Sequence, residues 1–198
     1  MLKLVGLSGG PGNGKSAAAE FFRKEGICVI DADKVCHAIY AEKENGVLSA
    51  LRERWGDGIF DAKGVLDRRK VARIVFEDAR ERKFLDSLLH PEIFRRVEKI
   101  LEKAEGPFAV LEAALLFETA WDKKVFRTVT VWAEDSVRME RLLTRNWTRE
   151  EARKRIDSQM KDAEKLERAD YAIINNGSLS LLYSQCAAVL AQLREETK

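Results

Sequence analysis

Three cysteines, two histidines and three prolines are all that 198 residues contain of the types that staple, ligate or break a chain. Cys28, Cys36 and Cys186 form an odd set with no close pair, which excludes a disulfide framework and gives no zinc spacing. His37 and His90 stand far apart in sequence, which argues against a metal centre built on imidazole. Long apolar runs are also missing. The longest, Phe108 to Phe117, is interrupted by Glu112 and falls well short of the roughly 20 residues of a membrane span. Nor is there an excess of one charge: 35 Lys and Arg against 33 Asp and Glu leave +2. That balance argues against a dedicated binder of nucleic acid or anionic membrane, while allowing a local basic patch. No repeat or low-complexity tract occurs. The N-terminal apolar run is short and ends in glycines, unlike a secretory signal. With its thiols reduced, the protein is expected in the cytoplasm.

What is present points to a globular α/β chain. Hydrophobic residues make up 45% and charged residues 34%. A chain of this length can bury roughly 70% of the surface it exposes unfolded, so its core needs no staple. Five short apolar runs read as strands: Leu2–Leu7, Cys28–Asp31, Phe108–Glu112, Thr128–Val131 and Tyr171–Ile174. Most are continuously apolar, as in a parallel sheet covered on both faces. Helical patterns lie between them. One runs from Ala17 to Lys24 and stops at Gly26, another carries Ile93, Val97, Ile100 and Leu101, and a third carries Leu182, Cys186, Val189, Leu190 and Leu193. This alternation predicts a three-layer fold around a parallel five-stranded sheet. Two intervals interrupt it. Roughly seventy-five residues separate the second and third strands, where a simple crossover needs about a dozen. That interval reads as a helical insertion, and the charged stretch from Ser136 to Arg168 reads as a second one.

The strongest motif is Gly9-Gly10-Pro11-Gly12-Asn13-Gly14-Lys15-Ser16, which matches G-x-x-x-x-G-K-[ST] between a strand and a helix. Its glycines let backbone N–H groups surround a polyphosphate, and the following helix adds its positive end. Lys15 supplies charge to the β and γ phosphates and Ser16 a hydroxyl to Mg²⁺. Gly10, Gly12, Asn13, Gly14, Lys15, Ser16 and Ala17 are the expected nucleotide-binding set. Gly12 to Ala17 also fits the dinucleotide pattern G-x-G-x-x-A, but that reading has no use for the Lys-Ser pair.

Asp31 and Asp33 close the second strand, where ligands of open α/β sheets bind. Either can hold Mg²⁺ or accept a proton, and either can cap the following helix. Asp33 is favoured for the chemistry and Asp31 for the metal. From Arg138 to Arg155 seven basic residues face three acidic ones. Arg138, Arg141 and Arg145 share one face if the helix runs through them, which suits a lid over phosphates. One D-x-x-G of the GTPase type, Asp61 to Gly64, lacks an apolar strand before it, and no N-K-x-D guanine signature occurs.

The ordered set of motifs resembles the dephospho-CoA kinase family. Gly6 to Ser16 followed by Asp31-Ala32-Asp33 carries the resemblance first. Leu66-Asp67-Arg68, Val75-Phe76, His90-Pro91-Glu92-Ile93 and Leu115-Leu116-Phe117-Glu118 continue it, as do Arg141, Arg145, Gln159, Ala169-Asp170-Tyr171, Asn175 and Gly177. The resemblance implies ATP- and Mg²⁺-dependent phosphorylation of the ribose 3′-hydroxyl of dephospho-CoA, a small-molecule acceptor. It implies a P-loop kinase core (1–34, 107–135 and 169–198), a helical acceptor-binding region (35–106) and a helical lid (136–168). Asp33 would be the general base, Lys15 and Arg141 would stabilise the transferring phosphoryl group, and Arg145 would join the clamp. Asn175 would lie near adenine, and His37, His90, Leu115 and Phe117 would line the acceptor side. Departures are Pro11 where Ile is common, Ala114 where Pro is common, Cys36-His37 where Ala-Arg is frequent, and a short lid turn at Asn146-Trp147-Thr148. The alternatives are another small-molecule or nucleotide kinase, a P-loop switch, and a catalytically silent nucleotide or CoA binder.

Overall fold

The computed structural model describes residues 2–198. By compactness the chain divides into two units, Met1–Asp31 with Leu101–Lys198, and Ala32–Ile100.

The first unit opens with strand β1 (Lys3–Ser8), the phosphate-loop segment, helix α1 (Lys15–Lys24) and strand β2 (Cys28–Asp31). Helix α1 ends as Gly26 predicts. Gly26 takes φ +79°, its N–H donates to the Arg23 carbonyl, and the Ile27 N–H donates to the Phe22 carbonyl. The first turn of α1 has no acidic residue, while Arg23 and Lys24 occupy its last turn. The positive N-terminal end therefore stays uncompensated by its own helix.

The second unit is helical. It holds α2 (Ala32–Ala41), α3 (Gly46–Trp55), a 3₁₀ turn (Asp57–Ile59), α4 (Arg68–Glu77) and nearly all of α5 (Ala79–Leu101). Local signals fix its boundaries. The Asn45 side chain accepts from the Leu48 N–H to start α3, and Asp67 accepts from Arg69 and Lys70 to start α4. Arg96 binds Glu42 and Glu92, and Arg95 binds Glu92. Hydrogen bonds from Arg95 first, joined by Arg96 against some desolvation, pull the Glu92 carboxyl down to about 2. The residue before a proline usually leaves the helix, which predicts a helix start or turn at His90. Instead Pro91 lies inside α5, and His90 stands mid-helix with its ring 3.8 Å from Asp86. Burial of Leu85, Leu89, Ile93 and Val97 holds one continuous helix through the proline.

The chain then returns to the first unit with β3 (Phe108–Glu112), a turn region, β4 (Arg127–Trp132), α6 (Asp135–Leu143), α7 (Arg149–Asp157), α8 (Asp162–Arg168), β5 (Tyr171–Ile174) and α9 (Leu179–Glu196). The sheet is parallel throughout, in the order β2-β3-β1-β4-β5. Val5, Leu7, Phe108, Val110, Val129 and Val131 pack with Ala18, Ala19 and Phe22 of α1 and with Leu182, Cys186 and Leu190 of α9. The outgoing connections of β1 and β3 run to opposite sides of the sheet. The topological switch point therefore lies beyond the carboxyl ends of these two neighbours, which is where open α/β sheets bind ligands. No helix among the described residues is long and apolar enough to cross a membrane.

Candidate active site

The phosphate loop leaves β1 at that switch point. Its three consecutive carbonyls are each taken by a side chain. Pro11 O accepts from Arg138 Nε at 3.0 Å, Gly12 O from Arg141 Nη1 at 3.3 Å, and Asn13 O from Asn175 Nδ2 at 2.8 Å. With the carbonyls engaged by donors, the main-chain N–H groups and the end of α1 face an incoming anion with little opposing partial charge. The Asn13 side chain is fully buried. Its Oδ1 accepts from the Ala133 N–H at 3.2 Å and its Nδ2 donates to Asp162 at 3.0 Å. Asn13 thus shapes the loop rather than reaching a phosphate with its amide.

Two glycines are dictated by this packing. Gly12 has φ +80°, and a Cβ there would lie 2.7 Å from the Arg138 carbonyl oxygen. Gly14 has φ +95°, and a Cβ there would collide with the Asn175 side-chain amide. Gly14→Ala is expected to cost at least ~1 kcal/mol, lowering the melting midpoint by roughly 2–4 °C and weakening ATP binding. Differential scanning fluorimetry with and without ATP checks both effects.

Lys15 and Ser16 begin α1 and meet Glu112, the last residue of β3. Lys15 Nζ lies 2.8 Å from Glu112 Oε1, and Ser16 Oγ donates to the same oxygen at 3.2 Å. Arg23, two turns along α1, reaches the other carboxylate oxygen at 3.2 Å. Glu112 is 5% exposed. Burial pushes its carboxyl up, but Lys15 and then Arg23 outweigh this and hold it below the usual carboxylate range. Asp31 lies beside it in register on β2. Ser16 and Asp31 are the metal ligands expected from sequence, and Glu112 joins them only in the fold. Its partners are 97 and 89 residues away, so no local pattern marks it. The available signal was a lone acid ending an otherwise apolar buried strand.

The predicted cation face divides. Arg138 is 5% exposed and bonds Pro11, Asp135 and Asp162, so it braces the loop. Arg141 bonds Gly12 and Asn175 and stays partly exposed. Arg145 lies beyond the end of α6 in an exposed turn, because the helix closes at Leu143. The three do not share a helix face. Beside Arg138 and Asp162 opens a cavity of about 510 Å³, lined also by Trp132, Arg153, Gln159 and Lys161.

The resemblance puts Asn175 near adenine. In the structure it is 6% exposed, and its amide is used by Asn13 and Arg141. Phe117 is 2% exposed, with the Arg168 guanidinium 5.1 Å from its ring centroid. Leu115, in the same turn, is 44% exposed and does offer an apolar surface.

In the second unit, Asp33 lies in the first turn of α2, two residues beyond Asp31. Asp33 and His37 are exposed and one turn apart, so they share a helix face. Between them Cys36 is partly buried, and burial pushes its thiol up, which keeps it protonated and non-nucleophilic.

Among the described residues no group of three or more His, Cys, Asp or Glu side chains is placed to hold a metal. The donors that do converge, the Ser16 hydroxyl and the Glu112 carboxylate, are hard oxygen ligands. They fit Mg²⁺, which keeps most of its water and phosphate ligands and takes only one or two from protein.

Comparison with known proteins agrees with this geometry. The dephospho-CoA kinase family profile matches residues 3–180. A dephospho-CoA kinase of Aquifex aeolicus is 36% identical over 196 residues, covering 98% of this chain and all of that one. A crystal structure of a Thermus thermophilus protein superposes with a TM-score of 0.84 at 35% identity, covering 97% of this chain and 98% of that one. The dephospho-CoA kinase of Campylobacter jejuni shares the fold, with a TM-score of 0.71 at 24% identity over the full length of both chains. A phosphate loop braced from α6, an acid at the end of the neighbouring strand and a match along nearly the whole sequence lead to one assignment: the chain belongs to the dephospho-CoA kinase family.

Proposed function

We propose that the protein transfers the γ-phosphoryl group of ATP to the ribose 3′-hydroxyl of dephospho-CoA, giving CoA and ADP, and does so in the cytoplasm. Two things support this reading together: family membership, and the Lys15–Ser16–Glu112 constellation beneath a loop whose carbonyls are tied back. The triphosphate lies along the N–H groups of residues 10–17, with Lys15 reaching the β and γ oxygens. Arg141, partly exposed at the rim of the loop, and Arg145 on its exposed turn add positive charge as the transition state forms. Ser16 and Glu112, with Asp31 beside them, would hold Mg²⁺, which when bound would offset phosphate charge at this end of the sheet. Asp33 receives the proton of the acceptor hydroxyl while the new O–P bond forms and the bond to ADP breaks. His37, His90 and Leu115 contribute to acceptor binding. In this scheme residues 1–34, 107–135 and 169–198 act as the nucleotide core, residues 35–106 as the acceptor region and residues 136–168 as the lid.

An acceptor panel tests the assignment. ADP release from MgATP is expected with dephospho-CoA and near background with nucleosides and nucleotides. Equal rates across the panel would point to a kinase of other specificity, and GTP outcompeting ATP would contradict the nucleotide assignment.

Glu112 yields a separate expectation. Glu112→Gln should raise the Mg²⁺ concentration for half-maximal rate by about 10–100-fold. Because its carboxyl is held low in the folded state, the native ion pairs contribute stability above the unfolded value of about 4. That contribution is lost as pH falls through the folded value. Urea unfolding between pH 7 and pH 3 should show the unaltered protein and Glu112→Gln converging only at the acid end.

A further inference from the structure

Three of the charged residues of helix α8, at i, i+3 and i+6, reach either the phosphate loop or the segment that follows β3. Asp162, at its first position, accepts from Asn13 and Arg138 and so holds the phosphate loop. Lys165, one turn on, is fully buried, with Nζ 2.8 Å from the Glu118 carboxylate and 3.0 Å from the Ala114 carbonyl. Arg168, at the far end, bonds Asp122 at 2.7 Å and covers the Phe117 ring. Glu118 is shared, since the same carboxylate oxygen accepts from the Met160 N–H at 2.9 Å, in the link between α7 and α8. Residues 114–122 are thereby held by one short helix that also holds the phosphate loop.

The position of that turn gives the arrangement its meaning. It leaves the carboxyl end of β3, which lies between β1 and β2 in the sheet. On one side β1 leads through the phosphate loop to Lys15, and on the other β2 ends at Asp31. The turn lies close against β1: a Cβ on Gly6 would come within 2.6 Å of the Leu116 side chain. It also presents Leu115 outward. A fully buried ammonium is expensive and persists only where its partners are fixed. A surface helix needs no such group merely to cover a sheet.

We propose that Lys165 is a positioning residue for the acceptor: by gripping Ala114 and Glu118 it fixes the turn that presents Leu115, while Asp162 on the same helix fixes the loop that takes the nucleotide. This rests on the reading of dephospho-CoA as acceptor. Helix α8 is then a strut with two separable ends, one for each substrate.

Steady-state kinetics of full-length variants separate those ends. Lys165→Met is expected to raise the KM for dephospho-CoA by about 10–100-fold, with the KM for ATP within about twofold of the unaltered enzyme. Glu118→Gln keeps volume and shape and should move the same constant in the same direction. Asp162→Asn should instead raise the KM for ATP. Lys165→Arg keeps the charge but not the reach and should recover part of the loss. Should Lys165→Met fail to fold, Glu118→Gln carries the test. Folded variants at both positions with an unchanged acceptor KM, or with both KM values raised together, overturn the proposal. An unaltered enzyme that leaves dephospho-CoA untouched overturns the acceptor reading and this proposal together. Normal turnover in that enzyme with unmoved KM values in the variants overturns this proposal alone.

Discussion

Asp33→Asn is expected to lower kcat with dephospho-CoA by about 10²–10⁴, with the KM for ATP little changed. Asparagine keeps the size of the side chain and its place in the first turn of α2, but cannot take a proton. Asp33 is exposed, so the substitution breaks no buried pair and should leave the melting midpoint near its original value. Loss of rate without loss of stability distinguishes a chemical role from a capping one. If phosphoryl transfer passes through a loose transition state, the carboxylate orients the hydroxyl more than it deprotonates it, and the loss falls at the lower end. A pre-steady-state measurement of the transfer step reads this directly. Near-normal turnover would remove Asp33 from the mechanism.

Lys15→Ala should cost about 10²–10³ in kcat/KM for ATP, the usual scale for one preorganised donor to a developing charge. Two effects contribute. The ammonium is lost to the phosphates, and Glu112 is left facing the triphosphate with Arg23 as its remaining strong cationic partner. The second effect makes alanine worse than simple deletion of a contact, because a buried carboxylate then opposes an incoming anion. In the absence of Mg²⁺, Lys15→Ala with Glu112→Gln should therefore bind ATP more tightly than Lys15→Ala alone. Isothermal titration with a non-hydrolysable ATP analogue measures that difference. Equal affinities would show that Glu112 does not act on the nucleotide.

These expectations draw unequally on sequence and structure. Short apolar runs located the five strands to within a residue at their ends, because strands covered on both faces leave few polar positions. The phosphate loop was legible because its requirement is local: positive φ at Gly12 and Gly14, and Lys15-Ser16 at the helix start. What escaped detection depends on residues distant in the chain. Glu112 becomes a site residue only because β3 lies beside β1. Arg138 reads as a free cation along a helix, yet Asp162 and the Pro11 carbonyl draw it inward. Phe117 and Leu115 stand two apart in one turn, and only packing beneath Arg168 decides which of them is exposed. The strut formed by α8 is equally silent in sequence, since a buried lysine in a charged helix looks like any solvated one.

The most direct test of the account is the fate of the γ-phosphoryl group. Incubation of the enzyme with MgATP and dephospho-CoA should yield ADP and a product one phosphoryl group heavier than the acceptor in equal amounts, with phosphorus NMR locating the new monoester on the ribose 3′-oxygen. ADP formed without a phosphorylated acceptor, or a phosphoryl group on any other oxygen, would contradict it.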